Sequence, residues 1–261
     1  MLLKNKTAVI YGGGGAVGGA LAKAFAAEGA KVFLAGRTIE KLEVVAKQVS
    51  VAGGMVDFAK VDALNIEEVD AHLTGILKKT GSIDISFNAI GPDDYQGVSL
   101  TEMSPAQFIS PVIKAMTAHF ITGTAALRFM KTKMKGVILA ITANAARKPY
   151  PGSGGFGVAC AAIEAYCRQL ALEAGEFGIR VGCIRSAGSP DAPGVDEVFR
   201  VHAKNAGITR EEFEHRFADR TMLKHLPLLN EVANAAVLIA SDKASAITAA
   251  VINVTCGELA D

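Results

Sequence analysis

Residues 11–19, YGGGGAVGG, and residues 154–162, GGFGVACAA, are the two stretches whose residue types and spacing bear most directly on chemistry. The first joins a strand end to a helical pattern through a glycine run. Such a turn aims backbone N–H groups and the positive end of a helix at an anion, and a pyrophosphate suits it. Side chains would obstruct that approach, so Gly12, Gly14 and Gly15 leave room, and Ala16, Val17 and Gly18 open the helix behind them. The second strand ends in Gly36, Arg37 and Thr38. An acid at that place would hydrogen-bond an adenosine ribose, whereas a guanidinium pairs with a 2′-phosphate. NADP(H) is therefore favoured over NAD(H), against the plainer reading of Arg37 as a solvated arginine at a helix start. The second stretch opens a helix yet holds no acid, base or hydroxyl. The question is how a cofactor held by the first would be put to use.

Few side chains are candidates to fill that gap. Cys160 needs a nearby cation or a helix N-terminus to become a thiolate, and among alanines it reads as a packing residue first and a nucleophile second. His119 lies one helical turn after Ala115. Arg185 ends a strand that reads as buried, so it either pairs with an acid such as Asp191 or receives an anionic substrate. Tyr150 and Tyr95 stand on loops as possible proton donors, without a lysine beside them to lower their pKa. Thr142 and Asn144 flank Ala143 and, by strand alternation, should point away from it unless a bulge intervenes.

The elements that must position these residues alternate. Short β-branched runs at Thr7 to Tyr11, Lys31 to Ala35, Val56 to Val61, Ile83 to Asn88, Gly136 to Thr142, Ile179 to Arg185 and Ala250 to Val254 are separated by helical patterns. Such alternation predicts an α/β fold, a parallel sheet with helices on both faces. In Ala16 to Ala27, Val17, Leu21, Ala24 and Phe25 keep helical spacing and Gly29 is placed to end the helix. At 261 residues, half of them apolar, one core and one domain are expected. A charged segment, 189–220, carries Pro190 and Pro193 and a capping signal at Thr209 and Glu212, and it reads as a helical lid inserted in the domain.

Composition excludes other classes. A net charge of +1 without a basic face argues against nucleic acid. No apolar run of about 18 residues and no leader pattern point to a cytoplasmic protein without a membrane role. Four cysteines without CxxC spacing suit reduced thiols, and five scattered histidines lead to no expected metal site.

With YGGGGAVGG, AGR at 35–37, VDA at 61–63, IDISFNAIG at 83–91, GIRVGCIRSAG at 178–188 and the closing segment 231–257, the chain resembles the short-chain dehydrogenase/reductase family over nearly its whole length. The resemblance implies a single Rossmann-type doubly wound sheet. It sets Gly12, Ala16 and Gly18 at the three glycine positions of the cofactor loop, with alanine at the middle one. Asp62 and Ala63 would sit by the adenine, and Asn88, Ala89, Ile90 and Gly91 stand where the family has its Asn-Asn-Ala-Gly turn. Read from the residues alone, Asp62 is equally a strand-end cap and Asn88 a structural tie. The family's catalytic serine, tyrosine and lysine fall on Ala143, Phe156 and Cys160, and its asparagine nearest Ala115. None of these can donate the proton or lower a tyrosine pKa. The expected function is an oxidoreductase acting by another route on an unknown carbonyl or alcohol, or else an inactive dinucleotide- or ligand-binding protein. The resemblance also implies a homo-oligomer, a tetramer or a dimer, through the helix from Pro105 to Met130 and the small-residue face of Ala159, Ala161 and Ala162.

Overall fold

Runs such as Thr7-Ala8-Val9-Ile10-Tyr11 carry no polar face, and they become strands covered on both sides, as a parallel sheet requires. In the computed structural model, which describes residues 1–260, seven strands form one sheet: β1 (Thr7–Tyr11), β2 (Lys31–Gly36), β3 (Met55–Lys60), β4 (Ile85–Asn88), β5 (Gly136–Ala143), β6 (Ile179–Ser186) and β7 (Ala250–Val254). All pairings are parallel, in the order β3-β2-β1-β4-β5-β6-β7. The expected α/β class and the Rossmann-type doubly wound sheet are both present. The strand bounds shift by a residue or two from those read in the sequence. β4 starts at Ile85 rather than Ile83, because the Asp84 carboxylate takes the Thr7 N–H at 2.8 Å in place of a backbone carbonyl.

The described residues form eight α-helices: α1 (Ala16–Ala27), α2 (Ile39–Val51), α3 (Ile66–Thr80), α4 (Pro105–Met130), α5 (Phe156–Ala174), α6 (Pro193–Ala206), α7 (Arg210–Asp219) and α8 (Leu229–Ala240). One face is covered by α3, α4 and α5 through Leu73, Ala125, Ile163 and Leu170; the other is covered by α1, α2 and α8 through Leu21, Phe25, Leu42 and Val232. Their starts are set locally. Asn65 accepts the Glu68 N–H, and Ser104 forms a reciprocal capping box with Gln107 ahead of Pro105.

Strand order reverses at β1, whose neighbours β2 and β4 carry the chain away in opposite directions. That arrangement opens a crevice beyond the carboxyl ends of the strands, where doubly wound folds bind their ligands. Over the same edge lie α6 and α7, within the segment expected to form a lid. They share a small core in which Phe199, Ala187 and Leu226 are buried and Phe213 and Phe217 pack partly covered. Arg210 Nε bonds Asp196 Oδ1 at 2.7 Å between the two helices, and Thr209 Oγ1 accepts the Glu212 N–H at 3.1 Å. No residue of α7 itself is buried.

Candidate active site

The glycine loop follows β1 and is pressed against the turn after β4. Gly12 adopts φ +76°, and a Cβ there would stand 2.8 Å from the Ala89 carbonyl oxygen, so glycine is required on both counts. Gly12 and Gly13 donate their N–H groups to Ala35 O at 2.9 and 3.1 Å, which fixes the loop to the end of β2. A side chain at Gly18 would run into the Gly12 carbonyl, so α1 can approach the loop closely only with glycine there. Gly15, the residue before α1, contributes no side-chain cap, and the first turn carries no acid. The N-terminal end of α1 is thus left for an anion from elsewhere.

Beside this loop is a cavity of about 300 Å³ whose wall includes Gly12, Gly14, Gly15, Arg37, Thr38, Asp62 and Ala63. Arg37 is exposed at its mouth. Lys41, in the first turn of α2, lines the same cavity and adds a second positive charge beside Arg37. The i, i+4 spacing of Arg37 and Lys41 across a helix start was the available sequence signal for it. Asp62 has both roles considered for it within reach: its Oδ1 accepts the Leu64 N–H at 3.0 Å, and it also forms part of the cavity wall. Asn88 acts as a tie. Its amide donates to Thr122 Oγ1 at 2.9 Å and its carbonyl accepts the Ile90 N–H at 3.0 Å, which holds the turn that brings Ala89 and Ile90 to the crevice.

A second cavity, about 450 Å³, continues from the first, for Gly15, Ala89, Ile90 and Gly91 line both. A Cβ on Gly91 would meet nothing within 4 Å, so the passage is open there. Ala16 and Val17 lie on its floor, with Ala143 at the end of β5 and Phe156 and Cys160 on the first turns of α5. Thr142 and Asn144 line it as well, but Thr142 keeps strand alternation, its Oγ1 turned to Glu164 and Cys183 on the α5 side of the sheet, while Asn144 begins a short 3-10 turn. Thr142 Oγ1 nevertheless donates to Glu164 and Asn144 to Glu258, so both hydroxyl and amide are engaged. Phe199, His202, Phe213 and Phe217 of α6 and α7 close the top.

The expected surrogates for a proton donor are scattered by this geometry. Arg185 is 1% exposed and absent from the cavity wall; its Nε and Nη2 bond the two carboxylate oxygens of Glu164, each at 2.8 Å. Its acid is Glu164 of α5 and not Asp191, which accepts the Leu229 N–H at the start of α8 instead. His119 faces the sheet. Its Nδ1 lies 2.8 Å from Ala115 O, Nε2 has no partner among the described residues, and burial pushes its pKa down to about 4. It borders a void of only about 10 Å³ separate from the crevice. Burial pushes the Cys160 thiol up to about 12, so it stays protonated at neutral pH and makes a poor nucleophile. Tyr95 is 45% exposed and outside the second cavity. Tyr150 does line it, and its phenol is raised further above the usual range, first by burial and then by Asp94. His225, Glu231 and Cys256 bring one ligand atom each within 4.8 Å of one another, a cluster the spread of these residues in the sequence conceals. The Glu231 carboxylate already accepts the Leu228 N–H, and His225 Nδ1 lies 3.1 Å from Leu226 O.

The sequence profile of the family described as enoyl-(acyl carrier protein) reductase matches residues 14–258. The chain belongs to the short-chain dehydrogenase/reductase family. It is 29% identical to the 3-oxoacyl-(acyl-carrier-protein) reductase of Chlamydia trachomatis serovar D over 257 residues, covering 98% of each chain. It is 30% identical to the peroxisomal 2,4-dienoyl-CoA reductase of Saccharomyces cerevisiae over 260 residues, covering 98% of this chain and 85% of the relative. Among solved structures, an NAD+-bound xylitol dehydrogenase superposes with a TM-score of 0.92 at 21% identity, covering 98% of this chain and all of the other. An actinorhodin polyketide ketoreductase with NADPH reaches 0.89 at 22% identity over 97% of each. Membership makes the chain an oxidoreductase of a family that binds a nicotinamide dinucleotide, and the open α1 terminus together with the glycine-lined passage at Gly15 and Gly91 fits such a group. Among the described residues no helix is long and apolar enough to cross a membrane.

Proposed function

We propose that this protein is an NADP(H)-dependent reductase of apolar carbonyl compounds that works without the family's serine, tyrosine and lysine. The observation that carries the reading is the continuity of the two cavities, one walled by Arg37 and Lys41 and the other by aliphatic and aromatic side chains. A bound reduced nicotinamide would supply hydride. Gly12 to Val17 would hold the pyrophosphate, Arg37 with Thr38 the 2′-phosphate, and Asp62, Ala63, Ala89 and Ile90 the adenosine side of the turn. The segment 189–220 acts as the lid, excluding water through Phe199, Phe213 and Phe217. Ala143, Phe156 and Cys160 stand at the family's catalytic positions.

NADPH is expected to bind more tightly than NADH, and Arg37→Asp should reverse that order, since it replaces a charge-assisted pair with a repulsion and offers the ribose hydroxyls an acceptor. Fluorescence titration of the two nucleotides against both proteins checks this. Equal affinities, or no binding, would remove the cofactor reading. The missing donor at Phe156 also favours a second reading, a dinucleotide-binding protein that does no chemistry. A panel of carbonyl substrates separates the two: NADPH bound without turnover supports the binder.

The protein is also read as a homo-oligomer. Ile109, Ile113 and Phe120 on α4 and Val158 and Leu172 on α5 are each 42% exposed or more, an apolar area a second copy would cover. Light scattering at low concentration should give a dimer or tetramer, and a stable monomer would refute it.

A further inference from the structure

The loop after β4 places a carboxyl group on the wall of the larger cavity. Asp94 and Gln96 line it, joined by Tyr150 from the loop after β5 and by His202 from α6. Gln96 is their junction. Its Oε1 lies 3.0 Å from His202 Nε2 and 3.5 Å from the Tyr150 hydroxyl, while its Nε2 donates to Asp94 Oδ2. With its oxygen toward His202 and the Tyr150 hydroxyl, the amide turns its N–H group to Asp94. Asp94 forms no salt bridge among the described residues; the nearby Lys114 is taken by Asp93 at 3.1 Å. Burial holds the Asp94 carboxyl above the usual aspartate range, with the Asp93 charge adding to the rise and the Gln96 bond opposing it. A half-buried carboxyl without a cation, on a largely apolar cavity wall, is an arrangement that favours the protonated acid over the carboxylate.

We propose that Asp94 is the general acid of this site, protonating the oxygen of the carbonyl substrate in place of the side chains missing at Ala143, Phe156 and Cys160. The assignment rests on the reductase reading above. In the step, the carbonyl carbon receives a hydride with its two electrons from the reduced nicotinamide. The π pair moves to oxygen, the carboxyl O–H bond of Asp94 breaks, and a new O–H bond forms on the product. Substrate is reduced, nicotinamide is oxidised, and the Asp94 carboxylate recovers its proton from water. Gln96 is a positioning residue whose N–H group stabilises the carboxylate as it forms. Tyr150 is a worse acid, since its hydroxyl is directed at Gln96 and its pKa is raised. Because His202 belongs to α6, the acid is aligned when the lid helix is seated.

The test uses the full chain and Asp94→Asn, which keeps the shape and loses the proton. NADPH-dependent reduction should fall by about 10²- to 10⁴-fold in kcat, the usual weight of general acid catalysis, with NADPH affinity by fluorescence titration unchanged. A readout independent of turnover is carbon NMR of labelled aspartate: one carboxyl should titrate above the ordinary range and be absent from Asp94→Asn. Gln96→Ala should raise that pKa further, since a donor to the carboxylate is removed. Reduction requires the protonated form, so kcat/KM should fall as pH rises through this pKa, and that limb should vanish in Asp94→Asn. The other titratable groups facing Asp94 are Asp93, Tyr150, His202 and Cys160. Turnover that survives Asp94→Asn, or a carboxyl with an ordinary pKa, overturns the assignment alone. Wild-type protein that binds NADPH and reduces nothing overturns the reductase reading and the acid with it.

Discussion

Glu164→Leu is expected to cost about 3–5 kcal/mol of folding stability, the range for removing one partner of a buried ion pair. Both groups are almost fully covered, Glu164 at 4% and Arg185 at 1% exposure, and the carboxylate accepts both guanidinium bonds and the Thr142 hydroxyl. Taking the carboxylate away removes both of those bonds and the counter-charge from a guanidinium buried between β6 and α5. At about 2–4 °C per kcal/mol for a chain of this size, the melting temperature should drop by on the order of 10 °C. Calorimetry reads it directly. The double replacement Glu164→Leu with Arg185→Leu should recover much of the loss, because two apolar side chains satisfy each other where one charge could not. If the single replacement leaves the melting temperature where it was, the pair does not hold α5 to the sheet.

The second large effect concerns the three positions on the cavity wall. Introduced together into Asp94→Asn protein, Ala143→Ser, Phe156→Tyr and Cys160→Lys should restore NADPH-dependent ketone reduction by about 10²- to 10⁴-fold over that background. The three positions adjoin one cavity: Ala143 is the last residue of β5, Phe156 is the first of α5, and Cys160 follows one turn later on the same face. A competing interaction is visible as well. Glu164 lies one further turn along α5, within reach of a lysine introduced at position 160, so stability must be followed in parallel with rate. Should NADPH bind and no reduction return, the shape of the cavity rather than its missing donor is what excludes the substrate.

How much of this was legible in the sequence follows from the range of the interactions involved. The glycine loop, Arg37 and the strand ends are local matters, written within a dozen residues and fixed by backbone sterics, and they fall at the crevice as the spacing suggests. The doubly wound sheet was legible because alternation of strand and helix constrains topology strongly. Arg185 could be recognised as a charge needing an acid, but the choice of Glu164 over Asp191 depends on how α5 lies across β5 and β6. Asp94 went unnoticed for the same reason. Its chemistry is made by Gln96, Tyr150 and His202, the last two 54 and 106 residues from Gln96, and nothing in the string GPDDYQG distinguishes it from a solvated loop. His119 misled in the opposite direction, since helical spacing relates it to Ala115 while the face it occupies turns into the sheet.

The thin core beneath α6 and α7 has a further meaning. Of the two helices' own residues only Phe199 and Ala203 are buried, whereas each of the other α-helices carries three or more buried residues. Such packing makes the cover the expected softest unit of the molecule, so amide hydrogen exchange should be faster in α6 and α7 than in the helices on the sheet faces. Entry to the crevice then needs no pore or hinge of its own. Loosening of the roof over a folded floor would supply it, and an apolar guest among Phe199, Phe213 and Phe217 would slow that exchange by adding to the small core.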